Sequence, residues 1–201
     1  ARMTTGNDLA LCRAEGWETL GCEPSLRACA IAAERGFTLQ NTTAEAAELA
    51  PASVSAVLIN NVLEHVHAPA AVIAKAWAAL RPGGSLVVIV PNHAGPSARL
   101  FGAAWPGYDA PRHLWGFTPR ALAALLAHAG FPPPAIYQRF QGRWAWRTSL
   151  DGSRAPTVVA AWRRRFAGPL SLVLLPLGVL AAWLGHGDFM TLVAVKPAPA
   201  D

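Results

Sequence analysis

The chain has 201 residues, 53% hydrophobic and only 14% charged, with a formal net charge of +5. That length fits one domain, or one domain with an appendage, and the apolar content excludes a disordered tail protein. The basic excess is local: Arg143, Arg147, Arg154, Arg163, Arg164 and Arg165 lie beside apolar sequence, which suits an anionic membrane surface or substrate better than nucleic acid, and no recognition-helix, zinc-finger or RNP-like pattern argues otherwise.

Asn7 to Glu15 is expected to form a short helix ended by Gly16. Cys12, Cys22 and Cys29 are odd in number and lack CxxC spacing, so they are expected to be reduced, mostly buried thiols of a cytoplasmic protein. Trp17 to Glu23 reads as a short strand ending on an acidic residue. Pro24-Ser25 opens a helix over Leu26 to Arg35, closed by Gly36, and Phe37 to Gln40 reads as another short strand. Thr43 to Leu49 reads as a helical turn capped by its threonine.

The stretch from Val54 to Val66 organises the rest. Val54 to Ile59 is a continuous apolar run rich in β-branched residues, the pattern of a strand buried on both faces in a parallel sheet. It stops at Asn60 and Asn61. In open α/β sheets, ligands sit beyond the carboxyl ends of such strands, where Asn60, Asn61, Glu64 and His65 fall. Ala70 to Leu80 follows as a helix with an apolar stripe of Val72, Ile73, Ala76, Trp77 and Leu80. Arg81 to Gly84 is a turn, and Ser85 to Val90 a second apolar strand ending at Pro91-Asn92.

Residues 93 to 117 are loop-rich and carry Trp105, Tyr108, Asp109, Arg112, His113 and Trp115. Pro119 to Ala129 is a predicted helix, Ala135 to Phe140 a strand, and 141 to 168 a basic, tryptophan-containing stretch. Pro169 to Leu184 is strongly apolar, but it is shorter than the ~20 residues of a spanning helix and contains Pro176 and Gly178. It reads as a lid or as a membrane-surface element anchored by Trp162 and the arginines after it. Phe189 to Val195 is a final strand. Alternating strands and helices at this spacing predict an α/β fold with a mostly parallel sheet.

In this order the motifs resemble the class I S-adenosylmethionine-dependent methyltransferases, in particular the bacterial small-molecule group that includes ubiquinone-type O-methyltransferases. The resemblance is carried by GWETLGCEPS (Gly16 to Ser25), VLEHV (Val62 to Val66), LRPGGSL (Leu80 to Leu86), VPN (Val90 to Asn92), PRHLWGFTP (Pro111 to Pro119), AGF (Ala129 to Phe131) and GD (Gly187-Asp188). It implies a Rossmann-like methyltransferase fold with an antiparallel last strand. The division it suggests is a cofactor-binding core over 1–140, a basic and apolar helical insertion over 141–188, and the last strand and tail over 189–201. The glycine-rich cofactor loop departs from the family pattern: only Gly6 matches, and residues 1 to 5 stand where other glycines belong. The backbone approaches the cofactor closely there. Either the chain begins inside that loop with its first strand missing, or cofactor binding is lost and a non-catalytic binding protein of the same fold remains.

The resemblance implies S-adenosylmethionine as cofactor, with contacts from Gly6, Glu23, Pro24, Thr43, Ala44, Asn60, Asn61 and Val62. Glu23 is the ribose ligand, with helix N-terminal charge complementarity as the competing role. His65 and His113 are candidate bases, with purely structural roles the alternative for each. Tyr108, Arg112 and Trp115 are placed on the acceptor side. The reaction implied is in-line methyl transfer to a small-molecule acceptor, with a hydrophobic or polyprenyl-like compound among the expected classes and membrane contact through 162–184. No metal is expected. Glu64, His65 and His67 crowd one turn, where they cannot all point at one ion, and no distant partner is evident in the sequence. The acceptor, the atom methylated and the oligomeric state are not legible.

Overall fold

A computed structural model describes residues 7–140, 165–166, 169, 172–173 and 175–198. The chain forms two compact units, residues 1–50 and 51–201.

In the first unit, helix α1 (Asn7–Ala14) carries Asp8 in its first turn and Arg13 in its last, as the helix dipole favours. The Arg13 guanidinium lies 3.8 Å from the Phe37 ring centroid and donates to the Gly36 carbonyl at 2.9 Å. Helix α2 (Leu26–Glu34) starts where the Ser25 hydroxyl accepts from the Ala28 amide, and it buries Ala28 and Ala32. The two short strands expected at Trp17 to Glu23 and Phe37 to Gln40 reduce to one parallel bridge, Cys22 with Gln40. The Gln40 side chain clamps the Glu48 backbone, donating to its carbonyl at 2.8 Å and accepting from its amide at 3.0 Å. The cysteines are free, as expected, but only half-buried.

The second unit is built on a four-stranded sheet, among the described residues, in the order β1 (Val54–Asn60), β2 (Leu80–Pro91), β4 (Phe189–Val195), β3 (Ala135–Arg139). β1 and β2 are parallel; β4 is antiparallel to both β2 and β3. Side chains alternate along a strand, so Leu86, Val88 and Val90 share a buried face with Met190, Leu192 and Ala194. The buried stripes of α3 (Pro69–Ala79; Val72, Ile73, Ala76, Ala79) and α5 (Pro119–His128; Leu122, Leu126) pack on β2 and β4 respectively. Arg81 to Gly84 bulges out between the Val54–Leu80 and Ala56–Ser85 pairs, with Gly83 at φ +77°. The Lys196 ammonium donates to the Trp77 and Leu80 carbonyls at 2.8 Å each, placing a cation on the carboxyl end of α3.

β1 departs from expectation. Among the described residues it has a single strand neighbour, and Ser55, Ala56 and Leu58 are exposed, Leu58 by 44%. An apolar run reports buried capacity on two faces; the sheet order decides whether both are covered. The 93–117 stretch is also more ordered than a loop. It contains α4 (Pro96–Phe101) and 3-10 turns at Gly102–Ala104 and Pro106–Tyr108. Helix α6 (Leu175–Trp183) lies within the apolar segment. A side chain at Gly178 would overlap the Phe140 ring, so glycine lets this helix sit against the chain leaving β3. No helix among the described residues is long and apolar enough to cross a membrane.

Candidate functional site

The parallel strands β1 and β2 end on the same edge of the sheet, and the segments leaving them meet there. β1 closes on Asn60. Asn61 takes a left-handed conformation (φ +51°) that asparagine tolerates, while its amide donates to the Ile89 carbonyl on β2 at 2.9 Å and its side chain donates to Asn60 Oδ1 at 2.8 Å. The chain then turns through Leu63 to Val66.

Backbone bonds staple this turn to the loop after β2. The Leu114 and Trp115 amides donate to the Glu64 carbonyl at 2.8 and 3.2 Å, and the Trp115 indole donates to the Val66 carbonyl at 2.8 Å. The staple brings His65 and His113 together, with ring centroids 4.6 Å apart and edge-to-face. Each ring has its Nδ1 on a backbone carbonyl: His65 on Arg112 at 2.9 Å, His113 on Gly107 at 2.7 Å. A carbonyl oxygen only accepts, so both Nδ1 atoms carry hydrogen, and in the neutral rings the lone pairs sit on Nε2. Burial lowers the His113 pKa, opposed by the Gly107 bond. The His113 Nε2 also lies 3.8 Å from Asp109 Oδ2, and Asp109 pairs with Arg112 at 2.6 Å.

Glu64 is the residue the sequence undervalued. Its side chain is 1% exposed and neither carboxylate oxygen has a hydrogen-bond partner. Burial raises its pKa from 4.5 to about 7. The Glu64, His65 and His113 side chains each bring one ligand-capable atom within 4.8 Å of the others. The signal available in the sequence was a carboxylate inside an apolar block, VLEHV. Sequence reasoning also passed over His93, whose ring packs edge-to-face on Trp105 and Tyr108 and whose pKa burial lowers.

Residues 4–133 match the family of methyltransferase domains. The chain belongs to that family. This methyltransferase-family chain is 29% identical over 165 residues to a ubiquinone biosynthesis O-methyltransferase of Cereibacter sphaeroides, an alignment covering 74% of the chain and 66% of that relative. Its fold is that of an S-adenosylmethionine-dependent methyltransferase from Thermotoga maritima (TM-score 0.65, 20% identity, 96% of this chain and 77% of that one). The cyclase SpnF has the same fold (TM-score 0.62, 20% identity, 97% and 72%). Likeness at such identity shows a Rossmann-like methyltransferase fold, and SpnF shows that the fold alone does not fix the reaction.

The other predicted residues fall as follows. In the first unit, Glu23 Oε1 accepts from the Ser25 amide at 2.9 Å, the role proposed as the competing one, and the Glu23 carbonyl accepts from Asn41 at 3.0 Å. Thr43 Oγ1 accepts from the Ala46 amide at 3.3 Å, a local cap, with Ala44 inside that turn. In the second unit, Tyr108, Arg112 and Trp115 are exposed on the loop that carries His113. Gly6 lies outside the described residues, as do Trp162, Arg163 and Arg164.

Proposed function

We propose that this chain transfers a methyl group from S-adenosylmethionine to a small-molecule acceptor. The family match over residues 4–133 carries the reading. Each unit carries donors of the kind such a cofactor takes. Glu23 offers a carboxylate for hydroxyl groups of a ribose, next to Pro24; Thr43 and Ala44 offer turn backbone for an adenine; Asn60, Asn61 and Val62 offer amide and carbonyl groups at the end of β1. When bound, the cofactor supplies a methyl group already activated on sulfonium. The protein's work is then to orient the acceptor in line with that methyl group and exclude water.

For a hydroxyl acceptor, the Nε2 atoms of His65 and His113 are the groups that would take the proton, because their Nδ1 positions are already committed to carbonyls. Tyr108, Arg112 and Trp115 would flank the acceptor. The segment 141–188 would act as a lid or a surface element. Exposed Val179, Leu180 and Trp183, the last 82% exposed, with Arg165 nearby in sequence, support contact of this segment with an anionic membrane surface and so a hydrophobic acceptor. Co-sedimentation with anionic vesicles tests that contact, and a Trp183→Ala variant that sediments like the unaltered chain would reject it.

Calorimetry with S-adenosylhomocysteine tests the cofactor reading. Glu23→Ala is expected to weaken binding at least about tenfold, the loss of one charge-assisted hydrogen-bonding group. Unchanged affinity would remove Glu23 from the site. No binding by the unaltered chain would place it with non-catalytic members of the fold.

A further inference from the structure

We infer that Glu64, His65 and His113 form a binding site for a single divalent transition-metal ion such as Zn2+. The spacing of Glu64 and His65 in the sequence argues against an ion, because adjacent side chains on one turn need a distant third ligand. The fold supplies that ligand. Hydrogen bonds from the Leu114 and Trp115 amides to the Glu64 carbonyl carry the 112–115 segment onto the VLEHV turn, and His113 arrives with it.

Three independent features of the cluster suit a metal. One ligand atom from each residue lies within 4.8 Å of the other two. Ligands of one zinc ion stand about 3–4 Å apart, given bonds of about 2.0–2.2 Å, so a small side-chain closure completes the set. Both imidazoles are held by their Nδ1–H groups on backbone carbonyls, those of Arg112 and Gly107. That is the outer-shell arrangement that fixes the tautomer and leaves Nε2 to bind a cation. The Glu64 carboxylate is buried, 1% exposed, with neither oxygen hydrogen-bonded. A buried carboxylate without partners is costly, and a cation held beside it removes the cost. One carboxylate with two imidazoles favours Zn2+ or Co2+ over Mg2+, which prefers an all-oxygen shell.

What the ion does in catalysis rests on the proposed function. An acceptor hydroxyl bound to it would release its proton to solvent at lower pH, and the imidazole nitrogens would then serve as ligands rather than bases. Binding itself does not depend on that reading, so it is measured without methyl donor or acceptor.

The experiment is titration of the metal-free full chain with Zn2+ by calorimetry, and with Co2+ by visible absorption, for the unaltered protein and for Glu64→Gln, His65→Gln, His113→Gln and His67→Gln, each checked for folding by circular dichroism. One ion per chain is expected, with tetrahedral-type Co2+ bands. Affinity should fall at least tenfold in every folded variant of the three ligands and stay unchanged in His67→Gln. Absence of saturable binding by the unaltered chain, or equal affinity in His113→Gln, overturns the proposal. Because the His65 bond to Arg112 is exposed whereas the His113 side chain is only 10% exposed, His65→Gln keeps the test decisive even if Glu64→Gln or His113→Gln does not fold: equal affinity in it also overturns the proposal.

Discussion

Replacing Glu64 by glutamine should change how the stability of the metal-free protein depends on pH. The Glu64 carboxyl is buried with no hydrogen-bond partner for either oxygen, and burial raises its pKa from 4.5 to about 7, opposed by its own backbone amide. The folded state therefore keeps a proton that the unfolded chain releases between those two values. Stability falls as pH rises through that window, because the native state binds more protons there than the unfolded state. Below pH 4.5 both states are protonated and the site costs nothing extra; above pH 7 the full penalty is present. A shift of about 2.5 units corresponds to about 3 kcal/mol at 1.36 kcal/mol per unit. Glutamine has the same shape and no titration. Urea unfolding in the presence of a chelator, followed from pH 4 to pH 8, should show the variant gaining about 3 kcal/mol on the unaltered protein across the range. His113 is present in both proteins, so the contribution of its lowered pKa largely cancels in the difference. A difference that stays flat with pH would show that Glu64 is solvated or partnered in solution, and would refute the argument from burial.

Other outcomes follow from the packing. Asn92 is buried, donates to Gln138 Oε1 at 2.9 Å and the Gly187 carbonyl at 2.8 Å, and accepts from the Ala94 amide at 3.0 Å. Asn92→Ala should cost about 2–3 kcal/mol, because it leaves those groups unsatisfied at the edge where β2, β3 and β4 meet; a loss under about 0.5 kcal/mol in urea unfolding would contradict it. Leu86 is fully buried on β2, so Leu86→Ala should cost about 2–5 kcal/mol, with the midpoint of unfolding moving and its slope unchanged. Trp115→Phe removes the indole bond to the Val66 carbonyl but keeps the ring. It should loosen the staple under His113 and lower Zn2+ affinity severalfold while costing only about 1 kcal/mol of stability, and unchanged zinc affinity would detach the staple from the site.

How far the chain could be read in advance varied with the kind of information. α2, α3, α5, β1 and β4 lie within a residue or two of where apolar period, capping serine or threonine, proline and glycine placed them, because those signals are local, whereas β2 begins at Leu80, five residues before the strand expected from Ser85, because the expected turn at Arg81 to Gly84 is a bulge inside it. The antiparallel setting of β4 came only through the family resemblance, and the pairing register bears it out. The first unit was over-read: two stretches with strand-like composition make a single bridge, since pairing depends on what lies alongside and not on propensity. The same reason explains β1, whose apolar run is not enclosed on both sides.

The sequence by itself determined the family, the sheet-and-helix alternation, and the placing of polar residues just after β1, all of which follow from periodicity and short motifs. Only the tertiary structure decided that Glu64 points inward without a partner and that His113, forty-eight positions after His65, stands against it. Hydrogen bonds from the 112–115 segment to the VLEHV turn make that meeting. No local pattern encodes it, because a contact between segments so far apart exists only once the strands between them have paired and brought their ends to one edge.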